Sequence, residues 1–188
     1  DDKAGRAEAW VQKNQRTILG VIAAVVVLGF GYLFYQQFVS SPREKEASNE
    51  LSYPLQTFND ALNAQTTKDR DSLFTLSLNG ANGRYGFLDI LKNYSGTKAS
   101  NIANYSAGMA YLQLNKYKEA ITYLDKFDSD DEILSALALG NIGDAFSQLK
   151  QYKEALDYYT KAFKKSKNSL TAPIYLKKAG QTAVELKD

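Results

Sequence analysis

The sequence predicts an all-α protein, with one N-terminal transmembrane helix followed by an α-solenoid of stacked helical hairpins. Three observations support this. The pentapeptide K-Y-K-E-A at residues 116–120 returns as Q-Y-K-E-A at 151–155, and subtracting 116 from 151 gives a period of 35 residues. Between Arg16 and Arg43 there is no charged residue at all. After that stretch, apolar residues recur at spacings of three and four, the period of a helix buried along one face.

Residues 1–16 read as a short basic tail with Lys3, Arg6, Lys13 and Arg16, and residues 17–40 as the span. From Ile18 to Tyr35 only glycines and tyrosines dilute an unbroken apolar run, which is membrane-spanning length. Its eleven Leu, Ile, Val and Phe residues contribute roughly −0.3 to −0.6 kcal/mol each. Together they give about −3 to −7 kcal/mol, enough to outweigh Gly20, Gly29 and Gly31. Ile18, Val25, Leu28 and Phe34 would contact the lipid bilayer, with Trp10 on one flank and Tyr32 and Tyr35 on the other as interfacial anchors. A cleaved signal peptide fits less well, because the run exceeds a usual apolar signal core and Phe38 is poorly placed before a cleavage after Ser40. Four basic residues precede the span and only Arg43 and Lys45 closely follow it. Positive charge stays inside, so the N-terminus is expected in the cytoplasm and the repeats across the membrane, in a bacterium the periplasm.

Residues 41–100 read as a degenerate first hairpin. Ala47, Leu51, Leu55, Phe58 and Leu62 lie at helical spacing, with Pro54 a candidate kink. Residues 66–84 are different in kind. T-T-K-D-R-D, an alternating L-F-T-L-S-L and the turn dipeptides Asn79-Gly80 and Asn82-Gly83 predict a long loop with a short extended piece. Helix is expected to resume at 87–93, Ser95-Gly96-Thr97 to break it, and Thr97 or Ser100 to cap the next helix.

Residues 101–188 hold the repeats, divided as 101–135, 136–170 and the start of a third from 171. The 35-residue offset also pairs Gly108 with Gly143, Tyr111 with Phe146, Leu114 with Leu149, Leu124 with Tyr159 and Lys126 with Lys161. Glycine lets the second helix of a hairpin approach, the aromatic fills the gap, and Ala120 and Ala155 keep the contact thin. The small residue, the aromatic three later and the alanine nine beyond it resemble the tetratricopeptide repeat. Two departures stand out: Phe127 where that repeat usually has alanine, and no proline at the end of either unit. Pro173 suits a helix start, and Ala179-Gly180 aligns with Ile142-Gly143. Because the third unit lacks its partner helix, the natural chain is expected to continue beyond Asp188.

Composition excludes several function classes. There is no cysteine and no histidine, which removes disulfides, thiolate metal sites and the commonest general base. A net charge of +2 offers no concentrated basic face for nucleic acid. No nucleophile elbow or phosphate loop occurs, so no enzyme and no cofactor are expected. D-S-D-D-E at 128–132 reads as a helix start with Ser129 and Glu132 in a capping box rather than a calcium loop, since it lacks the loop's glycine and spacing. The lysines of K-A-F-K-K-S-K at 161–167 suit a helix C-terminus better than an anionic partner.

The first helix of each unit lines the inner face of such a stack, which nominates a partner-binding groove. From the first unit come Ile102, Tyr105, Met109, Leu112 and Gln113, and from the second Leu137, Asp144, Ser147 and Gln148. The third supplies Ile174, Lys177 and Gln181. The groove is apolar at its N-terminal end and polar further on, and Met109 would be an adaptable contact. A competing reading has Ile102, Tyr105 and Leu112 packing against the preceding hairpin.

The order of basic tail, one span, an atypical hairpin and tetratricopeptide-like hairpins resembles the YfgM family of bacterial inner-membrane proteins. The likeness includes W-V-Q-K-N-Q before the span and S-N-E-L-S-Y-P-L-Q-T-F-N-D-A-L after it, with residues 66–84 longer than the family's usual hairpin. The resemblance implies an ancillary subunit of the Sec translocon. Its implied partners are the channel subunits, a PpiD-like membrane-anchored chaperone, and nascent or unfolded periplasmic proteins. A scaffold in another envelope complex is the alternative. Oligomerisation through Gly20 and Ala24 is a weaker one.

Overall fold

The computed structural model describes residues 2–166, 168–169 and 171–187; within residues 1–23 it describes the side chains of Trp10, Asn14, Thr17 and Val21. The side chains of Lys3, Arg6, Lys13, Arg16 and Ile18, and Lys167 of the lysine-rich run, lie outside the described residues. The chain forms two compact units, Asp1–Arg43 and Glu44–Asp188. Among the described residues there is no strand, only a bridge between Ala81 and Arg84.

In the first unit α1 (Asp2–Tyr35) runs through the basic tail and the span alike. Val25, Leu28 and Phe34 are 63%, 72% and 62% exposed, and Trp10 and Tyr35 are also uncovered. One helix among the described residues is long and apolar enough to cross a membrane, and none of its apolar window is buried by protein. α1 passes into a π-helical turn, Gln36–Ser40, whose closing bond runs from the Ser41 N–H to the Gln36 carbonyl. The cause is Pro42, two residues on, which has no N–H to donate and whose ring would strike the Phe38 carbonyl in an α-helical turn. The wider turn relieves that collision.

The second unit begins in α2 (Ser41–Leu62), which continues through Pro54 and buries Ala47, Leu51 and Pro54. Residues 66–84 depart from the expected long loop, because Thr67–Asn79 is helix α3. Thr66 starts it, its hydroxyl accepting from the Asp69 N–H at 3.1 Å and donating to the Asp69 carboxylate at 2.8 Å. The apparent alternation of L-F-T-L-S-L masks a helical face, since Phe74, Ser77 and Leu78 are the buried residues. Phe58 of α2 meets Phe74 edge-on, with ring centroids 5.2 Å apart, and Phe87 at 6.2 Å. The turn itself shrinks to a few residues, with Gly80, Asn82 and Gly83 at positive φ. The short α4 (Phe87–Asn93) follows.

α5 (Lys98–Gln113) is capped by Thr97, whose side chain accepts from the Ser100 N–H. A second cap reaches it from far along the chain: the Glu44 carboxylate accepts from the N–H groups of Lys98 at 2.8 Å and Ala99 at 3.1 Å. An acid at a helix N-terminus satisfies donors that otherwise lack partners.

Two hairpins then repeat, α5 with α6 (Tyr117–Leu124) and α7 (Glu132–Gln148) with α8 (Tyr152–Lys165). α9 (Ala172–Glu185) follows, with Pro173 in its first turn. A Cβ on Gly108 would lie 2.5 Å from Leu124 Cγ, and one on Gly143 would lie 2.7 Å from Tyr159 Cδ1. Asn115 and Lys150, again 35 apart, both turn the chain at positive φ. A ring pair recurs too, Tyr111 stacked on Tyr123 and Phe146 tilted against Tyr158, each with centroids 5.4 Å apart. Lys126 and Lys161 lie over the outer ring of each pair.

The start of α7 corrects the expected capping box of Ser129 and Glu132. The cap is Asp131, whose carboxylate accepts from the Ile133 and Leu134 N–H groups, while Ser129 accepts from the Asp131 N–H. Phe127, the departure from alanine, turns its ring onto Tyr105 at 5.0 Å. The equivalent Ala162 is fully buried in the second unit.

Candidate partner-binding face

The first helices of the three units, α5, α7 and α9, carry the nominated groove residues at matching positions. Ile102, Leu137 and Ile174 occupy one register, 35 and then 37 residues apart. Ile102 is 45% and Ile174 is 48% exposed, with Leu137 half-buried between them in sequence order. Ile133 and Leu134, in the first turn of α7, are exposed as well. Large apolar side chains left uncovered at one register of successive repeats form a candidate contact surface.

Tyr105 has a packing role. Its ring rests on Phe127, and burial pushes its hydroxyl upward in pKa against the opposing effect of a hydrogen bond with Asn141. Both of these contacts lie towards the following unit. Met109 and Leu112 are half-buried, and Gln113, Gln148, Lys177 and Gln181 are exposed.

Asp144 is already engaged. Its carboxylate accepts from the Tyr159 hydroxyl at 2.7 Å and from Lys178 Nζ at 2.6 and 2.7 Å. One carboxylate thus ties α7 to α8 and to α9. Ser147 lies beside this group, lining an open polar pocket with Tyr152, Tyr159, Lys178 and Gln181. Sequence register picked out Lys177, whereas Lys178 makes the contact. The available signal was Tyr159, a tyrosine where the first repeat has buried Leu124, since a buried hydroxyl requires a partner.

Burial pushes the Tyr159 hydroxyl well above the usual tyrosine range, and the hydrogen bond and charge of Asp144 act in the same direction. Tyr175 is pushed up to about 12, by burial first and by Asp144 second. Its ring occupies the space where a side chain on Gly140 would stand. Both hydroxyls keep their protons more tightly in the folded chain. Their contribution is therefore fully present below the unfolded value near 10 and is lost as pH rises towards the folded values. Urea unfolding is expected to show constant stability up to about pH 10, then a fall of about 1.4 kcal/mol per pH unit for each tyrosine. Tyr159→Phe should make that fall shallower, and an unchanged slope would contradict the assignment.

Residues 136–169 match one family model of the tetratricopeptide repeat and residues 103–129 match another. No curated protein matches the chain. The matched segments coincide with α7–α8 and with most of α5–α6, the two hairpins whose glycines are covered by their second helices. The all-α chain therefore contains two tetratricopeptide repeats, a unit suited to binding other proteins, beside one helix able to span a membrane.

Proposed function

We propose that the protein is a non-enzymatic, membrane-anchored periplasmic adaptor that presents its repeat face to segments of other proteins. In this reading it is an ancillary subunit of the Sec translocon, beside a PpiD-like chaperone, acting on nascent or unfolded periplasmic proteins. The observation that best supports the adaptor role is the apolar register of exposed Ile102 and Ile174 and half-buried Leu137, in a chain that also carries a lipid-suited helix. The family resemblance of the residues flanking the span supports the translocon setting. Tethering raises the effective concentration of the face at the channel exit, so weak contacts suffice.

Purification from membranes in mild detergent, followed by mass spectrometry, is expected to recover channel subunits with a PpiD-like chaperone. Ile102→Glu combined with Ile174→Glu should deplete partners held by the repeats about tenfold without loss of helical signal. Recovery of a different envelope complex would leave the adaptor role standing and overturn the translocon setting. The topology has its own check: a repeat domain sheltered from protease in cells with a permeable outer membrane would overturn it.

The alternative is a fixed scaffold in another envelope complex. It is favoured by the Asp144 group, which holds α7, α8 and α9 together. Exchanging residues 18–39 for an unrelated transmembrane helix separates the two readings. Loss of partners supports the translocon reading, and retention supports the scaffold.

A further inference from the structure

We propose that Asn82 is a modification site, at which the side-chain amide is lost spontaneously to give aspartate and isoaspartate, while Asn79 is protected from the same reaction. Both residues head an Asn-Gly pair. Such a pair is reactive because glycine sets no side chain in the way when its backbone nitrogen attacks the preceding amide carbon. The fold treats the two pairs differently. Asn79 is the last residue of α3, and its side-chain Nδ2 donates to the Thr75 carbonyl at 3.0 Å. The Gly80 N–H donates to the Leu76 carbonyl at 2.8 Å, and the backbone around it is crowded, since a Cβ there would lie 2.1 Å from the Arg84 carbonyl oxygen. Asn82 and Gly83 are instead exposed in the turn, at φ of 53° and 77°. Among the described residues no hydrogen bond engages either of them, and a Cβ on Gly83 would meet nothing within 4 Å. Nucleophile and amide are both unrestrained here, and the turn has room to rotate into the geometry of attack.

The Gly83 nitrogen gives its proton to hydroxide and bonds to Asn82 Cγ. The Cγ–Nδ2 bond breaks, the departing nitrogen takes a proton from water and leaves as ammonia, and a succinimide ring remains. Water then opens the ring. Addition at Cγ restores the original backbone with aspartate, whereas addition at the main-chain carbonyl carbon of residue 82 leaves isoaspartate, its backbone rerouted through Cγ and longer by a methylene. Nothing is oxidised or reduced, and water is the co-reactant. Either product ionises, taking the formal net charge from +2 to 2 − 1 = +1. Isoaspartate also disturbs the turn itself. The Arg84 N–H donates to the Ala81 carbonyl across it at 2.9 Å, and the Arg84 guanidinium lies 5.0 Å from the centre of the Tyr53 ring of α2.

Trypsin cuts after Arg70 and Arg84, so one peptide carries both asparagines. The full chain in mild detergent is held at mildly alkaline pH, sampled over time and digested, and fragment masses locate the amide that is lost. Asn82 is expected to convert about tenfold or more faster than Asn79, because two hydrogen bonds must open before Asn79 can react. In denaturant that preference should vanish. Asn82→Gln, whose longer side chain closes the ring far more slowly, should remove the more acidic species that isoelectric focusing resolves in aged protein, with the helical signal unchanged. Comparable loss at both residues in the folded chain overturns the proposal, as does an Asn82 amide that survives folding conditions for as long as the unfolded chain takes to lose it. A preference equally strong in denaturant also overturns it, by assigning the difference to local sequence and not to the fold.

Discussion

Replacing Gly143 by leucine is expected to force α7 and α8 apart and to destabilise the second unit by about 3 kcal/mol or more. A Cβ alone would already lie 2.7 Å from both Cδ1 and Cε1 of the Tyr159 ring. The ring cannot swing aside freely, because its hydroxyl donates to Asp144 at 2.7 Å and the same carboxylate holds Lys178. Displacing Tyr159 would leave a buried hydroxyl unsatisfied and loosen α9 together with α8. Gly180→Ala is the matched control. With nothing within 4 Å of the new Cβ, it should gain up to about 1 kcal/mol from helix propensity. Thermal unfolding followed by circular dichroism reads both variants. A Gly143→Leu protein that unfolds with wild type would mean that the two helices do not depend on this contact.

The same contrast explains what the sequence could disclose. A tetratricopeptide-like hairpin is recognisable because its closest contact needs glycine opposite a bulky residue, and Gly108 with Leu124 and Gly143 with Tyr159 preserve that pairing at a fixed offset. Helix α3 follows no such rule. It opens on the charged T-K-D-R-D, and its buried face includes Ser77, which looks polar in sequence but donates internally to the Phe74 carbonyl at 2.8 Å. Local side-chain hydrogen bonding of this kind hides a core position from any reading of hydrophobic spacing. The Asn82-Gly83 turn was legible, since its backbone requires positive φ. The Asp144–Lys178 contact was not, because it depends on how adjacent first helices are rotated against one another, and one residue of register separates Lys178 from the exposed Lys177. The cap of α7 shows the same limit at shorter range. D-S-D-D-E offers several acceptors, and only the backbone path decides that Asp131 is the one in place.

Substituting Val27 and Leu28 by arginine is expected to abolish membrane integration while leaving the repeats folded. Arginine near the centre of a span adds about 2.5 to 3.5 kcal/mol per residue, so the pair contributes about 5 to 7 kcal/mol and also removes two favourable residues. That cancels the insertion free energy of about −3 to −7 kcal/mol available from the apolar run. Both side chains are largely uncovered by protein, at 69% and 72% exposure, so the new charges would face lipid. The second unit has its own buried clusters, one built around Phe74, Phe87 and Ile90 and the other around Ala155, Tyr159 and Tyr175. Sedimentation after an alkaline carbonate wash should move the variant from the membrane pellet to the supernatant, with its helical signal and unfolding midpoint retained in the released material. Persistence in the pellet would contradict a lipid-facing role for this helix. Release accompanied by unfolding would show that the repeats need the anchor for more than location. If release leaves the repeats folded but strips away partners that Ile102→Glu and Ile174→Glu also remove, then the tether acts by concentration: weak contacts along the exposed register hold a partner only when the membrane keeps it close.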